Sequence, residues 1–295
     1  MSDARASPAA ATAAIARADP FPRSVWPRVA AVALVVYVVY ACAQMDVSWE
    51  RIETGLENAS RFFGRLFPPN FHRWELLLKG LGESLQIAVL ASTLGIALAL
   101  PLGLLGARNL MPAWASWPAR AIVVVARSLH PVIVAILFVK AVGFGALAGV
   151  LALTVASIGF IGKLFTEAIE EISLKQVEAV RATGAPFLSV LGFGVLPQVF
   201  SRFIGFATYQ LDSNLRNSTM VGIVGAGGIG GTLFAAFQRF DYDFVCAILI
   251  AIISLIMLGE LFATAVRRIF IGGATLGDLV RGENATQRDR LVEDD

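Results

Sequence analysis

An acidic and a basic side chain lie close together in one apolar segment. Asp212 and Arg216 are four residues apart, so they share a helix face and can form an ion pair. A charge within a membrane span costs at least about 2.5–3.5 kcal/mol on insertion scales, which marks such residues as functional candidates. Tyr209 and Thr219 lie on the same face. We call these four residues, Tyr209, Asp212, Arg216 and Thr219, the polar stripe.

The polar stripe has two interpretations, and the sequence leaves both open. In the first, the ion pair neutralises itself and attaches the segment to a neighbouring helix or to a second copy of the chain. In the second, the stripe lines a wet cavity, where Arg216 attracts an anion through charge-assisted hydrogen bonds and Asp212 holds Arg216 in place and tempers its affinity.

Further polar groups lie in other apolar segments. Arg127 and His130 either line the same cavity or pack helices together, and Pro131 can kink their segment. Glu260, in the last apolar segment, is expected to pair with a neighbouring helix or subunit. The complete set of candidate pathway residues is Arg127, His130, Tyr209, Asp212, Asn214, Arg216 and Thr219.

A glycine-rich run follows the polar stripe. Residues 225–230 fit the G-x-G-x-x-G pattern, but a dinucleotide site also needs a preceding strand and an acidic residue about 20 positions later. Position 250 is Ile250, and the preceding segment is a polar membrane helix. The run therefore predicts a flexible, closely packed turn at the outer mouth of a pathway. Its candidate gate residues are Gly225, Gly227, Gly228 and Gly230.

The sequence offers no set of residues for catalysis or cofactor binding. His72 and His130 are its two histidines, it contains no G-x-x-x-x-G-K-[ST] motif, and we find no nucleophile set. A formal net charge of +2 does not favour a nucleic-acid partner. We expect no catalytic residue, metal or cofactor in this chain.

The elements that carry these residues are predicted to cross a membrane. Of the chain, 57% is AVILMFWYC and 16% is charged, an excess of apolar residues that one soluble core cannot hide. Runs near the 20-residue length of a span occur six times, which predicts an all-α membrane protein with about six transmembrane helices. The runs are 29–45, 84–106, 121–139, 142–162, 203–224 and 244–266.

The distribution of Lys and Arg predicts that both termini are cytoplasmic. Residues 1–28 are then a disordered cytoplasmic tail, 29–45 the first span, and 46–80 an extracytoplasmic interfacial segment with an amphipathic helix that either lies on the membrane or packs on the spans. Residues 81–270 form the core, and 271–295 a second cytoplasmic tail. Ala41-Cys42-Ala43 also resembles a cleavage site, which would remove the first span.

Residues 164–197 form the longest cytoplasmic loop. Ser173 and Gln176 have the form of a capping box that opens a short helix, which runs to Thr183. Gly184 can take the left-handed conformation that ends this helix, and Pro186 fits the first turn of the next one. A short capped helix between two spans is suited to a groove on another protein.

The loop resembles the one by which membrane subunits of bacterial ABC importers engage their ATPase subunits. The resemblance rests on the spacing of Glu178, Ala179, Val180, Gly184, Leu196 and Pro197, and it departs from the family at Gly194, where an Ile is usual. It implies that the helix transmits ATPase closure to the spans on either side, that Glu178 makes a charged contact, and that Gly184 permits close backbone approach.

Residues 67–270 are similar to the phosphonate-type branch of these permeases. The similarity is carried by 83–88, 101–109, 127–131, 209–216 and 224–230. It implies a type I importer permease in a bacterial inner membrane that acts as a homodimer, with an extracytoplasmic binding protein and a cytoplasmic ATPase dimer that binds ATP and Mg. Phosphonates or related phosphorus oxyanions are the implied substrates, and the chain itself is not an enzyme.

Three alternatives remain beside this interpretation. The substrate can be phosphate, phosphite or another small molecule instead. An ion-coupled secondary transporter or channel would use the polar stripe as an ion relay, but it has no need of an ATPase-docking loop. A membrane-embedded enzyme would need the nucleophile or metal set that the sequence lacks.

Overall fold

The computed structural model describes residues 25–45 and 48–270, and within these ranges it contains helices and no strand. Its described residues fall into two compact units, which divide between Phe63 and Gly64. We number the helices in chain order: α1 (Trp26–Gln44), α2 (Trp49–Leu66), α3 (Trp74–Gly106), α4 (Ala113–Ser128), α5 (Pro131–Val142), α6 (Ala146–Glu170), α7 (Leu174–Ala182), α8 (Leu196–Ile223), α9 (Ile229–Gln238) and α10 (Tyr242–Phe270).

The first unit contains an apolar helix and most of an amphipathic one. Helix α1 matches the predicted first span within a few residues, and its apolar side chains are exposed. Helix α2 confirms the predicted helix in the interfacial segment, and Ile52, Leu56 and Phe63 on it are exposed. Residues 1–24 of the predicted tail 1–28, and the predicted tail 271–295, lie outside the described residues, whereas residues 26–28 belong to α1.

Helices α3 and α6 form the centre of the second unit. Small residues permit this contact, because a Cβ on Gly95 would collide with Ser157 and one on Gly103 would lie 2.8 Å from Phe165. Buried residues from α3, α5, α6 and α8 form one apolar cluster that includes Ile87, Leu153 and Val221. Helix α3 begins at Trp74, ten residues before the predicted span, so residues 74–80 of the predicted interfacial segment belong to it.

The predicted third span, 121–139, is wrong as a single helix. Helices α4 and α5 replace it and meet at a 93° bend. Leu129 and His130 are extended, and the His130 side chain accepts a 3.3 Å hydrogen bond from the Val132 N–H to cap α5. A proline disfavours the α conformation at the residue before it, which here is His130. Pro131 therefore produces a break between two helices, where the sequence suggested only a kink.

Helix α6 is displaced along the chain relative to the predicted span 142–162. It starts after Gly145, which has φ +131°, and continues to Glu170. Phe165 and Ile169 are buried, so the first residues of the predicted loop 164–197 extend the helix instead. The loop proper is α7, a helical turn at Phe187–Ser189 and a π-helical segment at Val190–Val195, which leads into α8.

The helices support the predicted membrane fold. Five described helices are long and apolar enough to cross a bilayer, and the bent pair α4–α5 makes six. We call the end of the second unit that carries α7 the loop end, and the end that carries residues 225–230 the glycine end. Chain direction alternates through the unit, so α3, α6 and α10 start at the glycine end, whereas α4 and α8 start at the loop end.

Candidate functional site

Helix α7 is anchored to the second unit through one apolar side chain. Val177 is 1% exposed and packs in a cluster with residues of α6, α8 and the π-helical segment, including Phe165, Val190 and Val199. A Cβ at Gly194 would lie 3.3 Å from the Cα of Val177. The departure from the family pattern at Gly194 therefore occurs where the loop packs backbone against backbone.

The start of α7 is held by a glutamine of α8. Ser173 is the N-cap residue but makes no side-chain capping bond, so the predicted capping box is wrong. Its N–H donates instead to Oε1 of Gln198 over 2.9 Å, and Nε2 of Gln198 donates to the carbonyl oxygens of Ser173 (3.3 Å) and Gly194 (2.6 Å). Ser173 and Gln198 are 25 residues apart, so periodicity within the loop gave no sign of this contact.

The predicted docking residues lie on or beside α7. Glu178 and Ala179 are exposed, next to the buried Val177. Gly184 has φ +74°, which confirms the predicted left-handed end of the helix. Leu196 and Pro197 open α8, and Leu196 is half exposed. The loop thus presents the charged side chain of Glu178 on a helix that packs against α6 and α8 through Val177.

A network that the sequence analysis missed joins the ends of α3 and α6 to the middle of α4, beside the loop. Oε1 of Glu170 accepts hydrogen bonds from the Arg108 backbone N–H at 2.9 Å and from Nη2 of Arg120 at 2.5 Å. Nε of Arg120 also donates to the Gly106 carbonyl oxygen at 2.8 Å. Nδ2 of Asn109 donates to the Ile169 carbonyl oxygen at 2.7 Å. The partners are up to 62 residues apart, and the excess of charge at these helix ends was the one sequence signal.

The polar stripe forms the predicted ion pair. Nη2 of Arg216 donates to Oδ2 of Asp212. The Asp212 side chain is 12% exposed and that of Arg216 is 50% exposed, so the carboxylate is held inside while the guanidinium reaches the surface of the unit. Tyr209 is half exposed and stacks on Phe160 with a centroid distance of 5.5 Å.

Asn214 lies apart from the polar stripe, in the interior. It is 0% exposed, and its Nδ2 donates to the hydroxyl oxygens of Ser92 and Ser157, each at 2.9 Å. Nε2 of Gln210 donates to Oδ1 of Asn214 at 3.0 Å and to the Ser157 hydroxyl at 2.8 Å. These four side chains connect α3, α6 and α8 through satisfied buried groups.

Arg127 and His130 lie on the α4–α5 pair and not on α8. Arg127 lies in the last turn of α4 with an exposed side chain, and its backbone passes close to Gly159, where a Cβ would lie 2.7 Å from the Arg127 nitrogen. His130 is the cap of α5 described above. Glu260 is exposed on α10. The structure thus keeps the polar stripe, including the partly exposed Thr219, on one face of α8, and it buries Asn214 on another. It places the remaining two pathway candidates, Arg127 and His130, on the α4–α5 pair.

The glycine run is a tightly packed turn. Gly225, Gly227 and Gly228 have φ of +89°, +80° and +80°, backbone angles that residues with a Cβ rarely adopt. The Ile229 N–H donates to the Ser84 hydroxyl at 2.9 Å, and the Gly145 N–H donates to the Gly225 carbonyl oxygen at 3.0 Å. A Cβ at Gly230 would collide with the Thr219 carbonyl oxygen. The predicted close packing is present, with helix α8 rather than a strand before the turn.

Polar contacts also tie the chain entering α3 to α10 at the glycine end. Nδ2 of Asn70 donates to Oδ2 of Asp243 at 2.9 Å, and Arg73 pairs with Asp241 at 3.0 Å. The guanidinium carbon of Arg73 lies 5.1 Å from the ring centroid of Phe244. Nothing in the local sequence pattern indicated these contacts, whose partners are more than 160 residues apart.

Comparisons with known proteins identify relatives of this architecture. The chain is 36% identical over 248 residues to the phosphite transport system permease protein PtxC of Stutzerimonas stutzeri, covering 83% of this chain and 90% of that protein. It is 43% identical over 192 residues to the phosphate-import permease protein PhnE of Mycolicibacterium smegmatis, covering 64% of this chain but only 36% of that longer relative.

A solved structure shares the fold. A chain of the MetNI methionine ABC transporter in an inward-facing conformation superposes with a TM-score of 0.61 and 25% identity, over 68% of this chain and 99% of that one. Residues 99–272 match the family described as binding-protein-dependent transport system inner membrane component. The match spans more than half of the sequence and includes α7, the polar stripe and the glycine run. The chain therefore belongs to this family of ABC importer permeases, whose members are transport subunits and not enzymes.

Proposed function

We propose that this chain forms the membrane pathway of an ATP-driven importer for small phosphorus oxyanions, with phosphonate and phosphite as the leading substrates. The names of the relatives support this class, because PtxC is named for phosphite and the PhnE relative for phosphate. Phosphate or another small anion is the alternative. The observation that carries the proposal within this chain is the ion pair that leaves a half-exposed guanidinium beside a buried carboxylate.

Arg216 supplies the attraction for the anion in this proposal. A guanidinium offers several N–H donors in a plane and binds phosphate-type oxygens well. Because one of its edges is occupied by Asp212, the remaining donors bind an anion less tightly than a free arginine would, which favours release. Tyr209 and Thr219 extend the polar face, and Arg127 and His130 contribute from the α4–α5 pair. Asn214 contributes by holding α8 in place.

Helix α7 is the proposed contact with a separate cytoplasmic ATPase dimer that binds ATP and Mg. The docking surface comprises Glu178, Ala179, Gly184, Leu196 and Pro197. A helix can transmit displacement only if its base is stiff, and Val177, Gln198 and the Glu171–Arg202 ion pair at 2.6 Å fix this base to α6 and α8. Movement of the ATPase would then reach the polar stripe along α8.

The glycine turn is the proposed outer gate, with Gly225, Gly227, Gly228 and Gly230 as its backbone. It links α8 directly to α9 and contacts α3 and α6, so a displacement of α8 changes the packing at this end of the unit. A second copy of the chain completes the pathway, and an extracytoplasmic binding protein delivers the substrate. Both chain termini are cytoplasmic in this arrangement, within a bacterial inner membrane.

Uptake into proteoliposomes tests the proposal. The permease is reconstituted with its ATPase and binding protein, and uptake of radiolabelled phosphite and methylphosphonate is measured with ATP, with a non-hydrolysable ATP analogue, and without the ATPase. We expect uptake with ATP and ATPase together. Accumulation driven by an ion gradient alone would overturn the proposal in favour of a secondary transporter, and uptake of only non-phosphorus substrates would overturn the substrate class.

A further inference from the structure

The loop end contains a second cationic region, away from the polar stripe. A cavity of about 800 Å³ opens there between α4 and α6. Four cationic residues line it, namely Arg108, Arg120, Arg127 and Lys163, and its described lining includes no Asp or Glu. The charge on this surface is therefore of one sign.

Acidic residues beside the cavity neutralise only part of this charge. Arg120 pairs with Glu170 at 2.5 Å, and Lys163 pairs with Glu167 at 2.6 Å. In the part of the chain that the structure describes, no ion pair involves the side chain of Arg108 or Arg127. Of these two, Arg108 lies at the loop end, where its backbone N–H bonds Glu170 while its side-chain charge has no ion-pair partner among the described residues.

The rest of the cavity wall is apolar and faces outward. Val124 and Val125 line it and are more than half exposed, and Trp117 is 69% exposed. Trp is enriched where the hydrocarbon of a membrane meets water, because its ring is apolar and its N–H is polar. The wall therefore suits a ligand that carries a hydrocarbon chain beside a charged group.

The cations are distributed along the wall. Arg120 and Arg127 are seven residues apart on α4, which is two helical turns and about 10 Å along the axis. Long basic side chains can extend toward the interface while their stems cover apolar surface. Arg108 follows α3, and the Arg120 guanidinium bonds to the Gly106 carbonyl oxygen at the end of α3, so both can meet a headgroup at the interface. Arg127 lies farther from the loop end and takes no part in headgroup binding.

From this arrangement we propose that the cavity binds an anionic phospholipid from the leaflet at the loop end. The headgroup phosphate lies among Arg108, Arg120 and Lys163, and an acyl chain covers Val124 and Val125. Basic pockets between transmembrane helices bind anionic headgroups in this way. A free phosphate ion shares the headgroup chemistry but leaves the apolar wall uncovered, and a zwitterionic lipid brings its own cation to the site.

Lipid titration of the purified complex tests this site. The permease assembled with its ATPase is delipidated, and binding of phosphatidylglycerol and of phosphatidylcholine is measured by native mass spectrometry. We expect the double variant Arg108→Gln/Lys163→Gln to lower phosphatidylglycerol affinity at least fivefold and to leave phosphatidylcholine binding unchanged. The matched control Lys140→Gln/Arg239→Gln removes the same charges elsewhere and should bind phosphatidylglycerol as the wild type does. Equal losses in both double variants would overturn the proposal.

Tryptophan fluorescence gives an independent readout that leaves the cationic residues unaltered. Brominated phosphatidylglycerol is expected to quench tryptophan emission more than brominated phosphatidylcholine, and Trp117→Phe is expected to remove most of that difference. Displacement of the lipid by millimolar phosphate or methylphosphonate would assign the site to a free anion and overturn the proposal. The absence of Trp117 quenching by either lipid would also overturn it, and this result is expected if a second copy of the chain covers this face.

Discussion

Asp212 and Arg216 differ in exposure, and that difference gives them different roles. The buried carboxylate depends on its partner, because removing one member of a buried ion pair leaves an uncompensated charge that costs about 3–5 kcal/mol. Removal of Asp212 would cost the half-exposed guanidinium less free energy, since solvent screens its charge. Under the proposed function, a single substitution of Arg216 is therefore expected to mix an effect on stability with an effect on anion binding.

A double variant separates the two effects. Arg216→Gln is expected to lower both the Tm of the purified permease and ATP-driven uptake. Asp212→Asn/Arg216→Gln replaces the ions by neutral amides that can still bond at i and i+4, so most of the Tm should return while uptake stays at least tenfold below wild type. Wild-type uptake by the double variant would show that Arg216 does not attract the substrate.

Gly230 permits a backbone contact that no larger residue allows. We expect Gly230→Ala to destabilise the fold by about 3 kcal/mol or more, because its Cβ would collide with the Thr219 carbonyl oxygen and displace α8 from α9. Gly231→Ala is the matched control, since its Cβ would meet only the Gly222 carbonyl oxygen at 3.5 Å. Thermal unfolding in detergent measures both variants, and equal Tm values for the two would contradict the packed turn.

Helix α7 has a buried residue and a charged surface residue next to each other. Val177 fixes the helix to the ends of α6 and α8, whereas the Glu178 side chain lies outside this cluster. Helix geometry produces this separation, since consecutive residues point about 100° apart around the axis. Anchoring and docking can therefore be altered one at a time.

Substitutions at Glu178 and Val177 should separate binding of the ATPase from stability of the permease. Glu178→Arg is expected to weaken binding of the ATPase at least tenfold in a pull-down or by light scattering, with an unchanged Tm of the isolated permease. Val177→Ala should lower the stability of the loop by roughly 2 kcal/mol through lost burial and a cavity. Arg239→Glu, a charge reversal at the glycine end, is the control. Full ATPase binding by Glu178→Arg would exclude its docking role.

The α4–α5 pair illustrates the limit of local patterns. The sequence of 121–139 is apolar apart from Arg127, Ser128 and His130 and contains one proline, which is equally consistent with a kinked span and with two helices. The bend of 93° depends on His130 capping α5 and on Gly159, which allows the Arg127 backbone to approach α6. Residues from two distant segments produce this geometry, so hydropathy alone could not predict it.

Across the second unit, polar contacts join the helices at both ends and at the centre. Glu170 joins α6 to α4 at the loop end, and the Asn214 network joins α3, α6 and α8 at the centre. Ser84 joins α3 to the start of α9 at the glycine turn. Apolar contacts between helices are non-directional in a bilayer, whereas a buried amide or hydroxyl needs a partner in one geometry. We infer that these polar contacts fix the register of the helices.

The orientation of the molecule in the membrane is a prediction from the charge distribution. Single cysteines at Thr183 and Arg239 report the loop end and the glycine end, in a Cys42→Ser background that leaves only the buried Cys246. In intact spheroplasts, an impermeant maleimide is expected to label Arg239→Cys, and to label Thr183→Cys only after permeabilisation. The reverse labelling pattern would place the termini outside.

The sequence by itself determined the membrane environment, the approximate spans, the short helix α7 with its end at Gly184, and the pairing of Asp212 with Arg216. Each of these depends on hydropathy or on residues within one or two helical turns, where spacing fixes geometry. The tertiary structure decided the break at His130, the extension of α6 into the loop, the hold of Gln198 on Ser173, and the burial of Asn214 away from the polar stripe. The Gln198–Ser173 and Asn214–Ser92 contacts join residues 25 and 122 positions apart, and the approach of Arg127 to α6 beside the break depends on Gly159, 32 positions away. Periodicity within one element contains no information on such contacts.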